Sequence, residues 1–233
     1  MTSCRAVLAA LIIVSAGAGV FTPAPAVAQI TTDERVWTNL SLQERQGTES
    51  PWRWSAEFSL RTRQGVEEVD VFVMRGLMGY DLTDRSSASV GFGLIPSFPT
   101  TGGTLLEKRL FEQYLWSGHS LGGSLALRTR FEQRWAEANS GLVWRLRQQV
   151  RYTRPMAPGS RYFLIGSEEI LVHANETSRY VQGLEQNRAF GGIARTISER
   201  VRIEIGYLNQ FSRSMSGPNR LNHILWMVTV AAF

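Results

Sequence analysis

The chain has 233 residues, 25 basic against 20 acidic side chains, a net charge of +5 and 43% hydrophobic residues. The basic excess is modest and not gathered as a nucleic-acid-binding face would be, so no nucleic-acid partner is expected. Cys4 is the only cysteine, which excludes a disulfide-stapled scaffold.

Residues 1–28 read as a signal peptide. Arg5 supplies an early positive charge, Ala6 to Val20 form an apolar run, and Ala26-Val27-Ala28 follow Pro23 and Pro25. The run is shorter than the roughly 20 residues of a spanning helix, so cleavage before Gln29 is expected rather than an anchor. Residues 29–233 then form one exported domain. No long apolar run follows the leader, so a membrane location would have to rest on strands.

The period of that domain is two. After a first loosely patterned segment at 35–44, residues 52–63 alternate cleanly. Trp52, Trp54, Ala56, Phe58 and Leu60 share one face, and Arg53, Ser55, Glu57, Ser59, Arg61 and Arg63 the other. Segments 69–80, 88–96 and 106–117 are less regular strands. Residues 124–135 place Leu125, Leu127, Thr129, Phe131 and Trp135 against Arg128, Arg130, Glu132 and Arg134. Residues 142–152 place Leu142, Trp144, Leu146, Val150 and Tyr152 against Arg145, Arg147, Gln149 and Arg151. Segments 161–173 and 184–195 are again loose. Residues 201–211 set Val201, Ile203, Ile205, Tyr207 and Phe211 against Arg202, Glu204 and Gln210, and 221–233 is apolar in both registers. This is the signature of half-buried β-structure.

Short polar turns at 81–86, 118–123, 155–160 and 196–200 alternate with longer Gly, Pro, Ser and Asn links at 96–105, 136–141, 174–183 and 212–219. Such alternation describes an antiparallel meander of hairpins. A soluble barrel or sandwich would hide the apolar face inside, whereas a membrane barrel turns it toward lipid. The aromatics favour the second. Trp52, Trp54, Tyr80, Trp116, Tyr152, Tyr162 and Phe233 fall near short-turn ends, and Trp135, Trp144 and Phe211 near long-loop ends, as two interfacial belts would. The expected fold is all-β, an antiparallel transmembrane β-barrel of ten to twelve strands. Eleven segments are odd, and a barrel with both ends on one side needs an even number. Ten strands leave 35–44 unplaced, and twelve require that segment to be split.

In this register Arg128, Arg130, Glu132, Arg134, Arg145, Arg147 and Arg151 line the lumen from two adjacent strands, joined by Glu57, Arg202 and Glu204 from elsewhere in the wall. Antiparallel pairing sets Arg128 and Arg130 across from Gln149 and Arg147 or their neighbours. Either the guanidiniums pair with carboxylates and fill the centre, or they leave a positive strip that favours small anions. Catalysis has little support. There is no G-x-S-x-G elbow, no metal-ligand spacing and no phosphate loop, so no catalytic residue, metal or cofactor is expected. A closed structural or adhesin-type barrel is one alternative, and an outer-leaflet lipid-modifying enzyme is the other. It would draw on His173 near Asn175 and Ser178, or on His223 near Ser214 and Ser216, with His119 a turn residue.

The stretches "WTNLSLQ" (37–43), "LRTRFEQRW" (127–135), "WRLRQQVRY" (144–152), "EQNRAFGG" (185–192), "GYLNQF" (206–211) and "NH" (222–223) resemble, in order, a family of predicted Gram-negative outer-membrane proteins of unknown function. The resemblance implies a bacterial outer-membrane location, with lipid and lipopolysaccharide around the wall and the barrel-assembly machinery as partner. It also implies that Phe233, closing the last strand, serves as an assembly signal.

Overall fold

The computed structural model describes residues 30–44, 50–137, 139–214 and 217–233, so the leader expected at 1–28 lies outside the described residues. Every segment with a period of two becomes a strand. In chain order these are β1 (Ile30–Gln43), β2 (Trp52–Arg63), β3 (Glu68–Thr83), β4 (Ser86–Ser97), β5 (Leu105–Ser120), β6 (Gly123–Ala136), β7 (Val143–Pro155), β8 (Tyr162–His173), β9 (Gly183–Thr196), β10 (Val201–Ser212) and β11 (Asn219–Ala232). They form one closed barrel in which consecutive strands are antiparallel neighbours. The shortest strands have 12 residues, more than the roughly 9–11 that a tilted strand needs to cross a bilayer.

Eleven strands lie between the two even alternatives. The 35–44 segment neither tucks into the lumen nor splits; it is part of β1. Closure is made by β1 and β11 running parallel, from Ile30 beside Asn219 to Gln43 beside Ala232. An odd count requires this, because a meander with an odd number of strands begins and ends in the same direction. On its other side β1 pairs with β2 only from Trp37 to Gln43. The upper half of β1 is held there by the 64–67 turn, where the Gly65 N–H donates to the Glu34 carbonyl at 3.1 Å.

Ile30 therefore starts at the end of the barrel carrying the 98–104, 137–142, 174–182 and 213–218 loops. Phe233 sits at the opposite end with the 84–85, 121–122, 156–161 and 197–200 turns. Two of these have only two residues, and one of them, 121–122, has positive φ at both Leu121 (49°) and Gly122 (74°), the backbone of a type I′ hairpin.

The wall has an apolar outside. Trp52 is 56% exposed, Phe92 49% and Leu164 52%, and Leu40, Phe58, Met78, Val90, Leu146, Ile193, Ile205 and Leu225 lie on the same outer surface. Inside, the volume is divided. Toward β8–β11 and β1 it is filled by Trp37, Ile165, Phe190, Ala194, Leu208 and Ile224, with Phe163 and Trp226 against them. Toward β5–β9 it is filled by charge.

Candidate functional site in the barrel lumen

The β6–β7 pairing sets Arg130 opposite Arg147 and Glu132 opposite Arg145, all pointing inward. Two guanidiniums facing each other across a ladder repel unless carboxylates answer them. Glu132, with 0% exposure, does so. One of its oxygens accepts from Arg145 Nε at 2.8 Å and the other from Arg147 Nη1 at 2.8 Å. Arg147 also donates to Glu169 Oε1 at 2.6 Å, and Arg128 to the same oxygen at 2.7 Å. Arg130 donates to Gln113 Oε1 at 2.6 Å and lies over the Phe111 ring, 4.4 Å from its centroid.

Toward the long-loop end, Arg134 donates to both oxygens of Glu107 at 2.9 Å, and Arg109 pairs with the same carboxylate. Arg145 Nη1 reaches Glu185 at 3.0 Å, and His173 Nε2 lies 3.1 Å from Arg134 and 3.3 Å from Glu185. Toward the short-turn end, Arg151 on β7 spans to Glu204 on β10 at 2.7 Å, with Arg202 beside that carboxylate at 3.2 Å. Glu57 accepts from Arg75 at 2.6 Å and from Asn39 at 2.8 Å.

The account does not balance. Along the lumen, apart from the outermost ion pairs at either mouth, the described strand residues that point inward include eleven arginines (61, 75, 109, 128, 130, 134, 145, 147, 151, 188, 202). They face six glutamates (57, 107, 132, 169, 185, 204). Arg61 shows the surplus most plainly. Among the described residues no carboxylate forms an ion pair with it, and it stacks over Trp37 at 3.9 Å, while Arg188 approaches the same ring at 5.4 Å.

Trp37, Arg61 and Arg188 also line both of the large internal cavities, about 750 Å³ at the short-turn end and about 800 Å³ at the long-loop end. The lumen is thus two vestibules meeting at a neck made of one indole and two guanidiniums.

All ten residues singled out from the sequence as lumen-facing lie on the inner side of the wall, and Phe233 lies outside the ladder, 64% exposed, with its N–H donating to the Gln43 carbonyl at 3.1 Å. Sequence reasoning left out Arg75, Glu107, Arg109, Gln113, Glu169, Glu185 and Arg188, and placed Arg61 on a polar face without giving it a role. Their strands carry polar groups on both faces. Glu112, Glu168 and Asn187 point outward, which blurs the period-two signal. The usable clue was local: Glu107 and Arg109, two residues apart, must share a face.

Of the histidines, His173 is inside and enclosed by Arg134, Glu185 and the Tyr180 ring. His223 is outside, its Nδ1 2.6 Å from the Tyr207 hydroxyl and its ring stacked on that of Tyr207. His119 is exposed at the short-turn end of β5. Among the described residues no group of three or more His, Cys, Asp or Glu side chains could hold a metal ion.

A closed all-β barrel with an apolar exterior and an arginine-rich, partly filled interior is the class that this geometry defines. Residues 34–222 match the family described as "Protein of unknown function (DUF2490)", and the chain belongs to that family. It is also 29% identical over 224 residues to an uncharacterised protein of Methylorubrum extorquens, across 95% of this chain and 94% of that protein. No solved structure matches.

Proposed function

We propose that this protein is a bacterial outer-membrane β-barrel that admits small anionic solutes passively and catalyses no reaction. The observation that carries the membrane part is the inverted wall. A belt of exposed Trp, Phe, Leu, Ile, Val and Met around a charged interior far exceeds the few hundred Å² of apolar patch that a soluble monomer carries, and it matches what lipid requires of a barrel. An exported chain of this kind would take lipid and lipopolysaccharide as its surroundings and the barrel-assembly machinery as its partner.

The anion part rests on the neck. Arg61 and Arg188 flank Trp37 where the vestibules meet, and among the described residues no carboxylate is ion-paired with Arg61. Rings of arginine favour anions in pores. One observation favours a second reading, a closed structural barrel: Glu132, Arg130, Arg134 and Arg145 are almost fully buried, so the ion network occupies much of the cross-section.

Reversal potential across a salt gradient in a planar bilayer separates the two. The wild type is expected to prefer anions, and Arg61→Glu to lower or reverse that preference. Silence at all voltages would favour the closed barrel, and cation preference in the wild type would end the anion reading. A monomer soluble without detergent would remove the membrane reading itself.

A further inference from the structure

Among the described residues, most of the buried donors that find no acceptor gather around one cavity, with Arg35 Nε, Ser59 Oγ and Arg130 Nη1 as the exceptions. Trp37 Nε1, Trp226 Nε1, Arg61 Nε, Arg75 Nε, Arg128 Nε and Arg202 Nη2 are each buried without a hydrogen-bond acceptor from the protein. All six residues line the same cavity, the 750 Å³ vestibule at the short-turn end. Trp37 is only 3% exposed and the Arg75 side chain 8%, while the Arg128 and Arg202 side chains are 24% and 30% exposed, so the cavity wall combines enclosed donors with partly open guanidiniums. None of the buried acceptors left without a donor belongs to a residue lining it. The unanswered groups of the vestibule are therefore donors, and its lining has eight arginines (61, 75, 128, 147, 151, 188, 200, 202) against four glutamates (57, 169, 199, 204).

A buried donor without an acceptor costs free energy comparable to a lost hydrogen bond. The surplus of guanidinium charge over carboxylate adds an electrostatic demand of the same sign. One species answers both: an oxyanion, whose paired oxygens match the arginine fork.

The orphan donors sit on β1, β2, β3, β6, β10 and β11, around much of the wall, so a single oxyanion would leave several unanswered. The lining also offers carbon. The two indoles, Val228 and Val230 provide a surface suited to an organic body rather than to an inorganic ion. The volume lies within the range of small-molecule pockets.

We propose that the short-turn vestibule is a binding site for a small organic anion carrying two or more negative groups, held by Arg61, Arg75, Arg128 and Arg202 with its carbon frame against Trp37 and Trp226. The inference rests on the anion reading of the lumen and supplies that reading with a substrate class and a place. It does not require that the solute pass through.

The test is isothermal titration of the full-length barrel in detergent with citrate, at constant ionic strength in chloride. Saturable binding of one citrate per barrel is expected. Arg61→Gln should weaken it at least about tenfold, the loss of one charged hydrogen bond. Arg202→Gln, three strands around the wall on β10, should also weaken it, which keeps the test decisive if Arg61→Gln does not fold. Arg35→Gln, in the long-loop vestibule and paired there with Asp33 and Asp70, should bind as the wild type does.

No saturable binding would overturn the site, as would both vestibule variants binding as tightly as the wild type. Anion-selective conductance without citrate binding would discard this inference and leave the channel standing. Citrate binding without conductance would keep the site and discard passage.

Discussion

Glu132 has the highest stakes of any single side chain in the lumen. Its two oxygens serve Arg145 and Arg147, and Arg130 lies 3.8 Å away. Removing one partner of a buried ion pair leaves the other charged and desolvated, which costs roughly 3–5 kcal/mol. Glu132→Gln is expected to lose about that much, read as a lower denaturant midpoint for conversion from the fast-migrating folded form to the slow unfolded form on a detergent gel. Replacing Glu132, Arg145 and Arg147 together by Met should recover part of the loss, because Glu169 keeps Arg128 and Arg188, Glu185 keeps Arg134, and Arg130 keeps its bond to Gln113. A Glu132→Gln barrel as stable as the wild type would mean that the network is solvated and contributes little. Arg61 contrasts with it. Among the described residues no carboxylate is ion-paired with it to be stranded, so its substitution should change charge selectivity and binding while leaving stability nearly untouched.

At the scale of strands, the packing of the inner wall depends on where side chains are missing. Gly192 and Gly206 are paired across β9 and β10, and the Phe190 ring lies over them with Trp226 edge-on at 5.2 Å. A Cβ on Gly206 would come within 2.6 Å of Gly192 Cα and 2.7 Å of Phe190 Cε2, closer than real Cβ atoms approach. Gly206→Val should therefore displace Phe190 from the apolar cluster and prevent formation of the fast-migrating species. Gly166 is the control. A Cβ there meets nothing within 4 Å, and Gly166→Val is expected to fold normally. Equal behaviour of the two variants would show that the inner apolar cluster tolerates rearrangement.

The whole molecule depends on its seam. Thr38 and Met227 are register partners on the outer face of the parallel β1–β11 pair. Neighbouring strands lie about 4.7–4.9 Å apart, within disulfide reach. Cys4 is the only cysteine in the sequence. Thr38→Cys combined with Met227→Cys should form an internal disulfide on mild oxidation of the folded barrel, seen as a mobility shift reversed by reductant. A ten-strand barrel closed by β2 against β11 would not bring these residues together, so failure of the crosslink in folded protein would refute the eleven-strand closure.

The sequence by itself determined that the chain is all-β, which residues share a face, where the hairpins turn, and that the polar face of β6 and β7 is crowded with arginine. These follow from a period of two, which is local: successive side chains on a strand point opposite ways whatever the rest of the chain does. Periodicity could not say that β1 closes on β11, because that pairing joins residues nearly the whole chain apart and the parity argument assumed both ends on one side. Nor could it say that Arg151 finds Glu204, or that Arg61 finds Trp37 and, among the described residues, no ion-paired carboxylate. Those partners are set by the radius and register of the closed barrel. Only closure brings strands distant in sequence to face each other across one lumen, and so decides which charges are answered and which remain.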